Sequence, residues 1–160
     1  MGIARALGAE VTGVCSTRNV DTARKLGADR VVDYTCEDFT QVAERYDLLL
    51  DVAGSRSWAE LERVLTPTGT VVVAGAPKGG RLLGPVRPVA RLRLGAMRSR
   101  RTVVFFIARL SKPDLETLGT LLADGALTPV IDRRYPLGEL AEALRYVGEG
   151  HARGKVVVTV

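Results

Sequence analysis

Tyr46-Asp-Leu-Leu-Leu-Asp-Val-Ala-Gly54 lies near the middle of the 160-residue chain. Its centre, Leu48-Leu-Leu50, is a continuous apolar run followed within four residues by a glycine. A strand with one wet face alternates apolar and polar side chains. An unbroken apolar run instead predicts a strand covered on both faces, as in parallel sheets flanked by helices. The neighbouring segments agree. Upstream, Val11 to Cys15 and Arg30 to Asp33 read as strands, separated by a helix over Asn19 to Leu26 that stops at Gly27. Thr35-Cys-Glu-Asp38 has capping-box spacing and predicts a helix through Phe39, Val42 and Ala43. Downstream, Ser57-Trp-Ala-Glu60 repeats that spacing, with Trp58, Leu61, Val64 and Leu65 at helical intervals. Strands are expected over Thr70 to Ala74 and Thr102 to Ile107. This alternation predicts an α/β fold built on a doubly wound parallel sheet.

After Ala108 the texture changes. Ser111 caps a helix with Pro113 near its start, Asp114 and Glu116 in its first turn, and Gly125 past its end. Leu115, Leu118, Leu121 and Leu122 give that helix an apolar face. Pro129 to Tyr135 is extended. A last helix carries Leu137, Leu140, Ala141, Leu144 and Val147 and stops at Gly148 and Gly150, before a strand over Lys155 to Val160. At the other end, Gly2-Ile-Ala-Arg-Ala-Leu-Gly8 reads as the end of a helix. A doubly wound nucleotide fold opens with a strand and a glycine-rich turn leading into that helix. The chain is therefore expected to lack its first strand and glycine-rich loop, as part of a longer protein or one shortened at its start.

Composition narrows the function. Apolar residues make up 46% and charged residues 26%, a balance for a globular protein with a buried core. No apolar run nears the roughly 20 residues of a membrane span, and no signal peptide is read at the start. Cys15 and Cys36 are too few for a zinc cluster, read as buried or neutral thiols, and fit a reducing cytoplasm. The net charge of +5 is local. Residues 78–101 hold eight basic residues and no acidic one, while the rest has 15 basic against 18 acidic. That segment reads as a solvated surface excursion with a short basic helix over Val89 to Met97, its Val89, Leu92 and Ala96 on one side. Phosphate or anionic-membrane contact is the alternative. It contains no aromatic residue on which bases would stack, and no nucleic-acid partner is expected.

In such sheets a dinucleotide lies across the carboxyl ends of the strands. Where an NAD-preferring protein places Asp or Glu, this chain has Cys15-Ser16-Thr17-Arg18. Two hydroxyls and a guanidinium suit an extra phosphate, with Arg18 binding it bidentately and Ser16 and Thr17 donating hydrogen bonds. A plain turn with an exposed Arg is the alternative. Tyr34 either lies beside an adenosine or seals the sheet edge. Asp51-Val52-Ala53-Gly54, Ala74-Gly75-Ala76 and Phe105-Phe106-Ile107 end later strands with small or apolar residues, leaving room for a flat ring. His151 is expected at the surface. No metal-ligand spacing and no convincing general acid or base is present, so no catalytic residue is assigned; in hydride transfer the cofactor carries the chemistry.

Taken together, Leu7 to Arg18, Lys25-Leu-Gly-Ala-Asp-Arg-Val-Val-Asp-Tyr34, Tyr46 to Gly54, Leu65-Thr-Pro-Thr-Gly69 and Gly150-His-Ala-Arg-Gly-Lys-Val-Val-Val158 resemble the medium-chain dehydrogenase/reductase superfamily. The likeness is to its zinc-independent, quinone oxidoreductase-like branch. It implies a partial nicotinamide-dinucleotide-binding domain over residues 1–108, with 78–101 a basic insertion. Residues 109–160 would return to a catalytic domain that the chain lacks. By the same likeness Ser16, Thr17, Arg18 and Tyr34 match the adenosine-phosphate site of NADPH-preferring members. Val52, Gly54, Ala74, Gly75, Phe105 and Ile107 match the ribose and nicotinamide wall, and Arg153 and Lys155 lie near the last cofactor-side contacts. The implied cofactor is NADPH ahead of NADH, with no zinc evident. The implied substrate is a quinone, enone or other carbonyl compound. A homodimer is the candidate assembly and the cytoplasm the expected location. Without the glycine-rich loop and the catalytic domain, the chain alone is expected to bind NADPH weakly and to have little reductase activity. The competing expectations are a non-catalytic remnant serving as an interaction module and a piece of a zinc-dependent alcohol dehydrogenase. A methyltransferase-like fold is disfavoured because no acidic residue ends the Val11–Cys15 strand.

Overall fold

The computed structural model describes residues 1–52, 56–74, 86–105, 109, 111–150 and 152–160, with residues 86–89 and 91 described by their backbone alone. In chain order the elements are α1 (Gly2–Ala6), β1 (Thr12–Cys15), α2 (Val20–Lys25), β2 (Arg30–Asp33), β3 (Tyr46–Asp51), α3 (Trp58–Arg63), β4 (Leu65–Val73), α4 (Val86–Ala96), β5 (Thr102–Phe105), α5 (Lys112–Ala123), β6 (Ile131–Pro136), α6 (Leu140–Gly148) and β7 (Lys155–Thr159). Among the described residues every strand pair is parallel. The fold is α/β and Rossmann-like, with helices on the crossovers, as the alternation predicts.

The chain divides into two compact units, residues 1–35 with 111–160, and residues 36–110. In the first, β1 pairs with β2 and β6 with β7. Helix α2 packs on β1 and β2 and buries Ala23 against a sheet whose Val32 is fully buried. Gly27, at φ +88°, lets the chain reverse after α2. In the β6–β7 part, Asp132 accepts hydrogen bonds from the Tyr146 hydroxyl (2.7 Å) and the Arg153 amide (2.9 Å). These bonds hold its carboxyl below the usual range, the Arg153 amide contributing most.

The second unit carries the sheet order β3-β4-β5. Its core is Leu61, Leu65, Val71, Val73 and Leu92, with Phe39, Leu49, Trp58, Val103 and Phe105 packed around it. Each fully buried side chain of this size contributes about 1.5–3 kcal/mol. Glu60 caps α3 by accepting from the Ser57 amide (2.8 Å) and hydroxyl (2.6 Å). Those bonds, with Arg56 alongside, hold its carboxyl down to about 2.

Several sequence expectations are corrected. The helix predicted from Thr35 through Ala43 is only a 3₁₀ turn over Phe39–Gln41. Its cap is Asp38, which accepts from the Thr40 amide, because the Thr35 hydroxyl is already bonded to Asp33. Leu65 does not continue α3; it opens β4 opposite Tyr46, and the pairing then shifts so that Leu48 faces Thr70. The Leu48-Leu-Leu50 strand is covered on one face only. Leu49 packs on the core, whereas Leu48 and Leu50 are 63% and 61% exposed. Among the described residues β3 pairs only with β4, and β1 only with β2, so each sheet ends on an open edge. The apolar faces predicted for the last two helices are likewise exposed at Leu115, Leu122, Leu140, Leu144 and Val147.

The basic segment is more than a surface excursion. Helix α4 begins before Val89 and buries Leu92 and Ala96. Arg101 pairs with Glu62 at 2.7 Å and donates to the carbonyls of Leu65 and Thr66. The Val89 side chain and residues 78–85 lie outside the described residues.

Candidate functional site

The register Thr12↔Arg30 to Cys15↔Asp33 puts the carboxyl ends of β1 and β2 side by side. The Tyr34 amide donates to the Cys15 carbonyl at 3.0 Å and ties the two ends together. Beyond β1 the chain turns at once: Ser16 is extended, Thr17–Asn19 form a 3₁₀ turn, and α2 starts at Val20. Ser16, Thr17 and Arg18 therefore make up the strand-to-helix turn itself. Ser16 makes no capping bond, and exposed Arg18 makes no ion pair among the described residues. The Oδ1 atom of Asn19 is buried and has no hydrogen-bond partner among the described residues. Tyr34 is 56% exposed beside this turn.

Thr35 joins the group. Its amide and hydroxyl both donate to Asp33 Oδ1, at 3.0 and 2.7 Å, and its Oγ1 lies 2.8 Å from Thr17 Oγ1. Sequence reasoning placed Thr35 at a helix start instead. The available signal was Asp33-Tyr-Thr35, an aspartate two residues before a threonine at a strand end, which is the spacing of an Asx turn. Cys15 faces the same end; burial, then the nearby Asp33 carboxylate, pushes its thiol up, away from the reactive thiolate.

The second unit presents its own row of strand ends. Asp51 pairs with Val73 and Val73 with Phe105, and the Ala74 amide donates to the Asp51 carbonyl at 2.9 Å. Val52 and Ala74 are exposed there. The Phe105 side chain turns inward and packs on the core. Gly54, Gly75 and Ile107, and also His151, lie outside the described residues. The structure thus groups Ser16, Thr17, Arg18 and Tyr34 in one unit, and Val52, Ala74 and Phe105 in the other. Among the described residues no cluster of three or more His, Cys, Asp or Glu is placed to hold a metal.

A family model described as zinc-binding dehydrogenase matches residues 26–158. The chain belongs to the zinc-binding dehydrogenase family. Within it, the chain is a medium-chain dehydrogenase/reductase of the quinone oxidoreductase-like branch. It is 33% identical to mouse NAD(P)H oxidoreductase RTN4IP1, mitochondrial, over 99% of its own length and 43% of that protein. It is 29% identical to Quinone-oxidoreductase QR1, chloroplastic, of Triphysaria versicolor, over 92% of its own length and 44% of that protein. Among solved structures, the quinone oxidoreductase from Coxiella burnetii superposes with a TM-score of 0.79 at 26% identity, covering 99% of this chain and 47% of that one. The chain thus spans less than half the length of these family members. Among its described residues no helix is long and apolar enough to cross a membrane.

Proposed function

We propose that the chain is the cofactor-binding portion of an NADPH-dependent oxidoreductase acting on a quinone, enone or other carbonyl compound. The observation that carries this reading is the turn after β1. It offers the Arg18 guanidinium and the Ser16 hydroxyl, and it has no carboxylate where a ribose 2′-hydroxyl would be held. Arg18 and Ser16 would hold the 2′-phosphate, with Thr17 and Tyr34 flanking the adenosine. Bound nicotinamide would supply the hydride. Val52, Gly54, Ala74, Gly75, Phe105 and Ile107 would form the wall at the strand ends, Phe105 by anchoring its strand in the core.

Residues 109–160 would return to a catalytic domain. Leu137, Leu140, Leu144 and Val147 recur at helical spacing and are 53%, 42%, 64% and 50% exposed. Such a stripe suits packing against a further domain. Cys15 and Cys36, neither in a disulfide, fit a reducing cytoplasm, although the RTN4IP1 and QR1 relatives are named mitochondrial and chloroplastic. Fluorescence titration of the chain with NADPH and NADH tests the reading. Weak binding that prefers NADPH supports it; equal affinity, or a preference for NADH, contradicts it.

A further inference from the structure

Thr17, Thr35 and Asp33 form a hydrogen-bond chain whose proton direction is fixed. The Thr35 hydroxyl lies 2.7 Å from Asp33 Oδ1. An ionised carboxylate only accepts, so Thr35 is the donor. Bonds to an ionised acceptor are roughly twice as strong as neutral ones, which keeps the single Thr35 proton on that side. The 2.8 Å contact between Thr17 Oγ1 and Thr35 Oγ1 must then have Thr17 as donor. The only hydroxyl proton of Thr17, an exposed residue, is thereby committed, and its oxygen has lone pairs alone to offer. The Thr35 amide, 3.0 Å from the same Asp33 oxygen, holds the carboxylate in place.

We infer that the Thr35–Asp33 relay sets Thr17 as a hydrogen-bond acceptor that reads the ribose 2′-hydroxyl of a plain adenosine cofactor, leaving a 2′-phosphate to Ser16 and Arg18. The inference rests on the cofactor reading above and replaces the sequence expectation that Thr17 donates to the 2′-phosphate. A 2′-phosphate oxygen gains nothing from an acceptor, whereas the 2′-hydroxyl of a plain ribose gains a bond. The relay therefore works against Arg18 and narrows the preference between phosphorylated and plain adenosine cofactors. Thr35 and Asp33 are specificity-setting residues that act through Thr17.

The test is calorimetric titration of the chain with 2′,5′-ADP and with ADP, for wild type, Thr35→Val, Thr35→Ser and Arg18→Ala. Removing the Thr35 hydroxyl frees the Thr17 proton for the phosphate. The affinity ratio of 2′,5′-ADP over ADP should then rise about fivefold in Thr35→Val, the value of one ordinary hydrogen bond. Thr35→Ser, which keeps the relay, should match wild type. An unchanged ratio in Thr35→Val, or an equal loss for both ligands, overturns the relay. If wild type binds neither ligand, or if Arg18→Ala keeps the full preference for 2′,5′-ADP, the underlying cofactor reading fails instead. In that case the relay has no ligand to select.

Discussion

Arg101 shows what one side chain contributes to the second unit. A single guanidinium pairs with Glu62 and closes two carbonyls, those of Leu65 and Thr66, where α3 hands over to β4. Its side chain is only 20% exposed, so truncation strands partly buried acceptors. Arg101→Ala should cost about 1.5–3 kcal/mol in urea unfolding, the range for a hydrogen-bonded charge. Glu60 makes a pH-dependent contribution. Its carboxyl falls from 4.5 to about 2 through the Ser57 and Arg56 bonds. A depressed carboxylate stabilises the fold above its unfolded value, and that stabilisation fades as the pH falls from 4.5 toward 2. Asp38, held down mainly by the Thr40 amide, loses its contribution in the same direction. Urea midpoints should therefore drop on acidification through this window, and Glu60→Gln should lose part of that pH dependence while being less stable at neutral pH.

At the scale of elements, two glycines make a contrasting pair. A Cβ on Gly95 in α4 would lie 2.5 Å from Trp58 Cγ, because the indole of α3 packs directly on the α4 backbone. Gly95→Ala should destabilise by about 1–3 kcal/mol, the usual cost of overpacking. Gly119 in α5 has nothing within 4 Å of its would-be Cβ. Gly119→Ala should stabilise by about 0.5–1 kcal/mol through helix propensity. Thermal melts of the two variants should move in opposite directions. The elements also show what the sequence made legible. The strands and α5 were readable because apolar periodicity and caps such as Ser111 are local signals, and the Ser111 hydroxyl does accept from the Asp114 amide at 3.3 Å. The failed helix after Thr35 was not readable, because a threonine can bond forward into a helix or back to an aspartate. Only the neighbouring strand, which brings Thr17 beside Thr35, shows which bond it makes. The role of Arg101 was hidden for a similar reason: its partners lie more than 30 residues away in sequence.

Across the whole molecule, apolar side chains that an α/β fold covers stand open. In the unit of residues 36–110, Leu48, Leu50 and Val52 line one face beside the open edge of β3; in the other unit, Leu137, Leu140, Leu144 and Val147 form an exposed stripe. Exposed edges and apolar stripes promote association. The chain should therefore self-associate at micromolar concentration in sedimentation experiments, and Leu144→Lys should reduce that association. The sequence foresaw the parallel fold and the strand-end turn, but it read Leu48-Leu-Leu50 as doubly covered because periodicity reports what a strand is built to bury, not what lies against it. The cofactor portion itself depends on Arg18. The most direct measurement is the NADPH-over-NADH affinity ratio of wild type against Arg18→Ala. A preference for NADPH that falls at least tenfold in the variant is predicted. A ratio unchanged by removing Arg18 would contradict the account.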